Sequence, residues 1–507
     1  MRNYRIAVVR ILAALGLKGE LRVVAFPDHY YNRKKTITRL LYDANRRVLR
    51  ERIDMGAKVH MFVLNNFTRD TRVLREAKAL IADGHDVTVF AVLDNQTREH
   101  EVVEGIRVRR MRQSHYYRYP FAVYERLVER PASRIMRHFV SEDQEPQTAS
   151  RGISDSESAK TATNGPVTGP STGDESRVNP VRRLYRHLRA NMVGRLAVLK
   201  MDDFYRKCRR VLQKDRAHVY HAHDLPMLPI ACRAARQFGG KVVYDSHELY
   251  TESGHMSDQM RRHWHRIEDD LIHHADAVFT VCISIGEELQ ERYHIAMPTI
   301  LRNCCERTPI ETSRDLLRER TGIADNTPIV LYQGGFARGR GLYNLIQATK
   351  YIEGAAVVFM GWGNIEDDLR RQVRREGLQD RVFFIPPAPQ NELLSWSSSA
   401  DVGIIPYQAV RLNNYYSCPN KLFEYINAGI AVAASEYPEL VRVIDSYGVG
   451  CTFNPDSPEE MGRTVDSMLK DRATLDEMKR NAQSAAGELN WQVESERLVS
   501  TYRNLLP

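Results

Sequence analysis

Two apolar runs, Ala57-Lys-Val-His-Met-Phe-Val-Leu-Asn65 and Asp86-Val-Thr-Val-Phe-Ala-Val92, flank a segment in which Val73, Leu74, Ala77, Leu80 and Ile81 fall on one helical face and Gly84 stops the turn. Strand, helix, glycine and strand at this spacing form a βαβ unit, which obliges the two strands to pair in parallel. The same alternation resumes at Ala217-His-Val-Tyr-His-Ala-His-Asp224 and Lys241-Val-Val-Tyr-Asp-Ser-His-Glu248, and continues through Ala277–Cys282 and Pro298–Asn303. It then starts afresh at Pro328-Ile-Val-Leu-Tyr-Gln-Gly-Gly335. At 507 residues the chain has room for two or more domains, each with its own core.

The last strand of this series belongs to Asn413-Asn-Tyr-Tyr-Ser-Cys-Pro-Asn-Lys-Leu-Phe-Glu-Tyr-Ile-Asn-Ala-Gly-Ile-Ala-Val-Ala-Ala-Ser435. Pro419 suits a first helical turn, Leu422, Phe423 and Ile426 form an apolar stripe, and Gly429 ends the helix before the buried strand Ile430 to Ala434. Asn420, Lys421 and Glu424 project from the start of that helix, where unpaired N–H groups favour an anion such as a diphosphate. Glu424 can accept hydrogen bonds from two adjacent hydroxyls while Lys421 neutralises phosphate charge. The competing reading is a capped helix with a solvated Lys and Glu.

The other strand ends carry suitable chemistry. Gly334 and Gly335 let backbone approach a ligand, and Arg338 and Arg340 can meet phosphate oxygens. Further strands run into Gly361-Trp-Gly363, Phe384-Ile-Pro386 and Pro406-Tyr407. In the first half, Asp70 and Arg72 sit at a strand end where open α/β sheets bind ligands, and His221, His223, Asp224, Asp245, His247 and Glu248 leave two successive strands at one sheet edge. Such a cluster suits zinc in composition. His221 and His223 are expected on opposite faces of their strand, and neither His-Glu-x-x-His nor a Cys pair is present, so metal ranks below a cleft-facing His that orients a sugar or moves a proton. Ser284-Ile-Gly-Glu287 has the form of a capping box and is read as structural.

These motifs, in this order, resemble the retaining glycosyltransferases of family four, with the GT-B fold of two Rossmann-like domains facing a cleft. Pro419-Asn-Lys-Leu-Phe-Glu-Tyr425 followed by Ala428-Gly-Ile-Ala-Val-Ala-Ala-Ser435 is similar to the family's donor-binding segment, and Asp70-x-Arg-Val-x-x-Glu-Ala77, His221-Ala-His-Asp224 and Tyr244-Asp-Ser-His-Glu248 also match. The resemblance implies a nucleotide-sugar donor whose ribose is held by Glu424, whose diphosphate is held by Arg340 and Lys421, and which meets Gly334, Gly335, Gly363, Asn420 and, at the base, the loop at Pro386. It implies His223 against the donor sugar, with Asp70, Arg72, Asp224, His247 and Glu248 lining the acceptor side. Tyr416 stands where many members carry a second Glu. No cofactor and no metal are expected, since the family's diphosphate is stabilised by protein groups and no Asp-x-Asp follows a strand.

The implied layout is a basic extension over 1–55, an acceptor domain over 56–303 with an insertion at 112–216, a linker over 304–326, a donor domain over 327–487, and a terminal helix over 488–507 that crosses back. Residues 141–180 lack large apolar side chains and are expected to be disordered. The flanking segments, with Tyr116, Tyr117, Tyr119 and Phe121 before and Leu196, Leu199, Phe204 and Tyr205 after, mix aromatics with Arg. They read as binders of an anionic membrane surface. Nucleic acid is not expected, because no nucleic-acid motif accompanies the charge.

Lys and Arg total 73 against 64 Asp and Glu, a mild excess of +9, and seven scattered cysteines suit a reducing compartment. Ile6 to Leu17 is apolar but broken by Arg10, which argues against a secretory signal, and no stretch approaches the about 20 apolar residues of a membrane span. The expected protein is a cytoplasmic transferase, peripheral on the inner face of the cell membrane, that moves a sugar with retention onto a glycan or lipid-linked acceptor. Two alternatives stand beside it: a GT-B nucleotide-sugar isomerase of the 2-epimerase type, and a non-catalytic membrane adaptor that keeps nucleotide-sugar binding.

Overall fold

The computed structural model describes residues 56–68, 70–112, 198–252, 256, 258–310 and 314–506. The extension before residue 56 and the expected disordered and aromatic-rich stretches between 113 and 197 lie outside the described residues.

Residues 57–303 build an eight-stranded sheet in the order β3-β4-β2-β1-β5-β6-β7-β8. Its strands are β1 (Lys58–Phe62), β2 (Asp86–Leu93), β3 (His100–Val103), β4 (Ile106–Arg112), β5 (Val219–His223), β6 (Lys241–Ser246), β7 (Ala277–Thr280) and β8 (Thr299–Ile300). All pairs are parallel except β3 with β4, a hairpin that protects one edge. The second sheet is wholly parallel, in the order β11-β10-β9-β12-β13-β14. It comprises β9 (Ile329–Gly335), β10 (Ala356–Trp362), β11 (Val382–Ile385), β12 (Val402–Ile405), β13 (Ala431–Ser435) and β14 (Gly450–Phe453). Each sheet is covered on both faces, so the central strands of the second sheet are largely apolar, whereas β1, β5 and β6 of the first bury His60, His221, His223 and Asp245 among their apolar residues.

Five helices position the site. Helix α1 (Thr71–Ala82) begins at Asp70, whose side chain accepts a hydrogen bond from the Val73 amide, as an N-cap should. Helical residues 198–212 (α2) put Met201, Phe204, Tyr205, Cys208 and Leu212 into the core. This corrects the expectation for Phe204 and Tyr205: they are 2% and 6% exposed and cannot enter a lipid surface. The arginines on the outer side of α2 are the solvated face of an amphipathic helix.

Helix α3 (Ile283–Tyr293) starts from Cys282, so Ser284 does not cap it as the sequence pattern suggested. Its hydroxyl and amide instead both reach Glu439 Oε2 at 3.2 Å, tying the two domains. Helix α4 (Asn420–Asn427) follows Pro419 and ends at Gly429, which has φ +72°. The chain closes with α5 (Trp491–Leu505), which leaves the second domain and packs on α1, with Arg503 bonded to Asp83 and Glu494 accepting from the Arg302 amide. Among the described residues no helix is long and apolar enough to cross a membrane, and all seven cysteines are free.

Candidate active site

In the second domain the strand ends do converge. Gly334 adopts φ +122°, and a Cβ there would sit 3.3 Å from Lys421 Nζ, so the glycine loop and the first turn of α4 are in contact. Gly341, at φ +70°, brings the end of that loop onto β12: a Cβ would lie 1.6 Å from the Pro406 carbonyl oxygen. This close approach seats the Arg340 guanidinium 4.2 Å from the centre of the Tyr407 ring. Lys421 Nζ lies 5.1 Å from the same ring and 3.7 Å from that of Tyr332. Two cations therefore gather around one tyrosine, and Arg338 is exposed on the loop outside.

Lys421 is buried, and its ammonium has no hydrogen-bond partner. Burial and the neighbouring Arg340 push its pKa well below the usual lysine value, against the pull of Glu424. One turn along, Glu424 Oε2 accepts from Gln333 Nε2 at 2.5 Å, and Gln333 Oε1 accepts from Ser397 at 2.6 Å, so the carboxylate orientation is set by a chain of two hydrogen bonds. Burial raises the Glu424 pKa against that bond and Lys421. Gly335 and Pro386 are exposed at the ends of β9 and β11, and Gly363 packs against the Phe336 carbonyl, which a Cβ would meet at 2.0 Å.

A cavity of about 520 Å³ lies where α4 faces the first domain. Its wall combines Asn420 and Asn303, which share a 2.6 Å hydrogen bond, with Asp70, Arg72, Asp224, His247 and Glu248. All five expected acceptor-side residues thus border one space. Arg72 keeps a buried Nη1 without a partner. Glu248 accepts from Asn413 Nδ2 at 2.9 Å across the domain boundary, while the Leu249 amide donates to Asn413 Oδ1 at 3.0 Å.

Two histidine expectations need correcting. His223, placed against the donor sugar by resemblance, is 3% exposed, and the imidazole on the cavity wall is His247, whose Nε2 is 3.2 Å from His223 Nδ1. Strand residues two apart share a face, so His221 and His223 lie together beneath α1, their rings stacked at 4.2 Å, not on opposite sides. His247 lies between two carboxylates, with Nδ1 3.3 Å from Asp224 Oδ2 and Nε2 3.0 Å from Asp245 Oδ2. Burial works against its charged form, but Asp224 and Asp245 outweigh it and push the imidazole up to about 10. The cavity floor is therefore a fixed cation between anions, with polar groups suited to hydroxyls.

Arg75, unmarked in the sequence reading, joins the two halves. It donates to the Cys304 carbonyl and to Asn303 Oδ1, and its guanidinium lies 5.3 Å over the Trp491 ring. Only its position one helical turn past Thr71 hints at this, since its partners lie more than 200 residues away.

The sequence profile described as Glycosyl transferases group 1 matches residues 313–485, and that of the Glycosyl transferase 4-like domain matches residues 156–300. A glycogen synthase of Mycobacterium tuberculosis is 24% identical over 298 residues, covering 57% of this chain and 69% of that one. A D-inositol 3-phosphate glycosyltransferase of Xylanimonas cellulosilytica is 23% identical over 42% of this chain and 51% of its own length. Among solved structures, sucrose-phosphate synthase from Thermosynechococcus elongatus superposes with a TM-score of 0.62 at 16% identity, covering 89% of this chain and 99% of that one. Anabaena HepE in complex with UDP-glucose gives 0.59 at 12% identity, covering 89% and 100%.

Proposed function

We propose that this chain, which has the GT-B fold and whose second domain matches the group 1 glycosyltransferase profile, moves a sugar, with retention, from a UDP- or GDP-linked donor to a hydroxyl of a glycan or lipid-linked acceptor in envelope or polysaccharide synthesis. The observation that carries this reading is the buried, unpartnered ammonium of Lys421 at the glycine loop, with Arg340 beside it and Glu424 one turn on. A cation in that state lacks an anion, and a diphosphate supplies one. As the bond to the sugar breaks, charge develops on the diphosphate, and Arg340, Lys421 and the start of α4 stabilise it without rearranging. The reaction on this reading needs no divalent ion at the diphosphate. Glu424 receives the ribose hydroxyls, and the acceptor enters the cavity bordered by Asp70, Arg72, Asp224, His247 and Glu248, whose carboxylates accept from sugar hydroxyls. His223 supports His247 from behind.

Calorimetry and thermal-shift screening of UDP-, GDP- and ADP-sugars test this. One nucleotide class should raise the melting temperature of the wild type, and Glu424→Ala should weaken its binding tenfold or more, the loss of charge-assisted hydrogen bonds worth about 1.5–3 kcal/mol. Transfer should proceed in EDTA. A strict need for Mg²⁺ or Mn²⁺ overturns the diphosphate assignment; donor turnover without acceptor points to the isomerase, and binding without any turnover to the adaptor.

We further propose that the enzyme works in the cytoplasm against the inner membrane face. A groove of about 750 Å³ bordered by Arg206, Arg209, Arg233 and Arg236, with Leu199 46% exposed at its rim, supports this. Deleting α2 would open the core, so charge reversal is the cleaner test: Arg233→Glu/Arg236→Glu should reduce flotation with anionic liposomes several-fold, and unchanged flotation removes the proposal.

A further inference from the structure

Beneath the cavity floor, Glu76 of α1, His221 and His223 of β5 and Asp245 of β6 each offer one ligand atom, and the four atoms lie within 4.8 Å of one another. All four side chains are buried, at 0%, 0%, 3% and 1% exposure. Neither carboxylate oxygen of Glu76 has a hydrogen-bond partner, nor do Nε2 of His221 and Nε2 of His223. Buried polar atoms are almost always paired, and a carboxylate with both oxygens unpaired inside a core is among the costliest exceptions. His223 Nδ1 lies 3.5 Å from Asp245 Oδ2 and 4.0 Å from Glu76 Oε2, and Glu76 stands within hydrogen-bond reach of Asp245, so this space holds either a proton shared by the two carboxylates or a cation.

We propose that these four residues hold a divalent transition-metal ion of the zinc class, as a structural tie between α1 and the sheet. Two imidazoles and two carboxylates suit zinc better than magnesium or calcium, which favour all-oxygen sites. With zinc bonds of about 2.0–2.1 Å the edge of the coordination tetrahedron is about 3.4 Å, so the side chains have to close by no more than about 1.4 Å. The charges balance: two carboxylates and two neutral imidazoles around a dication give a neutral core, where Glu76 and Asp245 alone repel.

The outer partners are those a ligating histidine takes. His221 Nδ1 is 2.9 Å from the Tyr502 hydroxyl of α5, whose oxygen can accept a hydrogen bond from Nδ1–H and so leave the Nε2 lone pair for the metal. Asp245 is also held, at 3.0 Å, by His247 Nε2, so the ion would sit one residue below the cavity wall and fix the orientation of His247. The helix that supplies Glu76 also supplies Arg72 of the cavity wall, so the tie anchors Arg72 as well as His247. It does not touch the diphosphate site and is separate from the donor reading.

The test is metal analysis of the full-length protein purified without chelator. Mass spectrometry of digested, folded wild type is expected to find about one zinc per chain, and Co²⁺ exchanged into it should give the intense visible bands of a tetrahedral site. Glu76→Gln and His221→Phe, checked by circular dichroism, should each lower the bound metal at least tenfold, and Lys421→Met should keep it. A folded wild type that carries no stoichiometric metal and takes up neither Zn²⁺ nor Co²⁺ overturns the proposal, leaving Glu76 protonated and bonded to Asp245. Equal metal in wild type and both variants overturns it too, because the ion then lies elsewhere.

Discussion

Lys421→Met should melt at a higher temperature than the wild type and lose about 10²- to 10³-fold in turnover, the scale seen when one preorganised charge stabiliser is removed. Stability rises because the native lysine is poorly compensated. Its ammonium gives up water for the faces of Tyr332 and Tyr407, and cation–π contact of about 2 kcal/mol falls short of a desolvation cost of several. Methionine fills the same slot without a charge. The sign of the pH dependence follows from the depressed pKa. Between that value and the ordinary lysine value the unfolded chain binds more protons, so stability of the free protein rises with pH across this window, and the variant should flatten the slope. Donor binding runs the other way, since the diphosphate restores the proton and affinity falls as pH rises through the depressed value. Calorimetry in buffers of different ionisation heat reads that proton uptake directly. A variant that melts lower and keeps turnover within threefold would show that Lys421 is an ordinary packing residue.

How far this site could be seen in the chain itself depends on the range of the interaction. Gly334, Pro419 and Gly429 act locally, each setting a turn or a helix end that its own neighbours require, and Lys421 with Glu424 follow from one turn of helix between them, whereas Gly341 is required by the distant Pro406 carbonyl and was not visible. The state of Lys421 was not visible, because Tyr332 on β9 and Tyr407 in the loop after β12 are 75 residues apart and meet only when β9 pairs with β12. His221 and His223 were open to the simplest rule of strand geometry, the period of two, and their shared face under α1 follows from it. Phe204 and Tyr205 show the opposite hazard. Arginines between aromatics describe a membrane helix and a core-facing amphipathic helix equally well, and burial alone separates the two. Ser284 fits a capping pattern, yet Glu439 from the other domain claims its hydroxyl.

Arg75→Met should destabilise the protein by about 2–4 kcal/mol and raise the donor KM, although Arg75 meets the cavity wall only through Asn303 and is not part of the diphosphate site. The guanidinium donates to the Cys304 carbonyl and to Asn303 Oδ1, and Asn303 Nδ2 in turn donates to Asn420 at the head of α4. Methionine keeps the contact with Trp491 but leaves a hinge carbonyl and an amide oxygen without donors, each costing about 1–3 kcal/mol where water cannot replace the loss. Lysine should recover little, since one ammonium cannot reproduce the planar fork that serves both acceptors. The effect on KM separates this chain of bonds from simple packing. If Asn303 passes the constraint to Asn420, then Asn303→Ala raises KM on its own and adds little to Arg75→Met, a coupling that a double-mutant cycle measures. Full additivity of the two, with KM unchanged in both, would reduce Arg75 to a local brace between α1 and α5 and leave α4 to be positioned by its own domain.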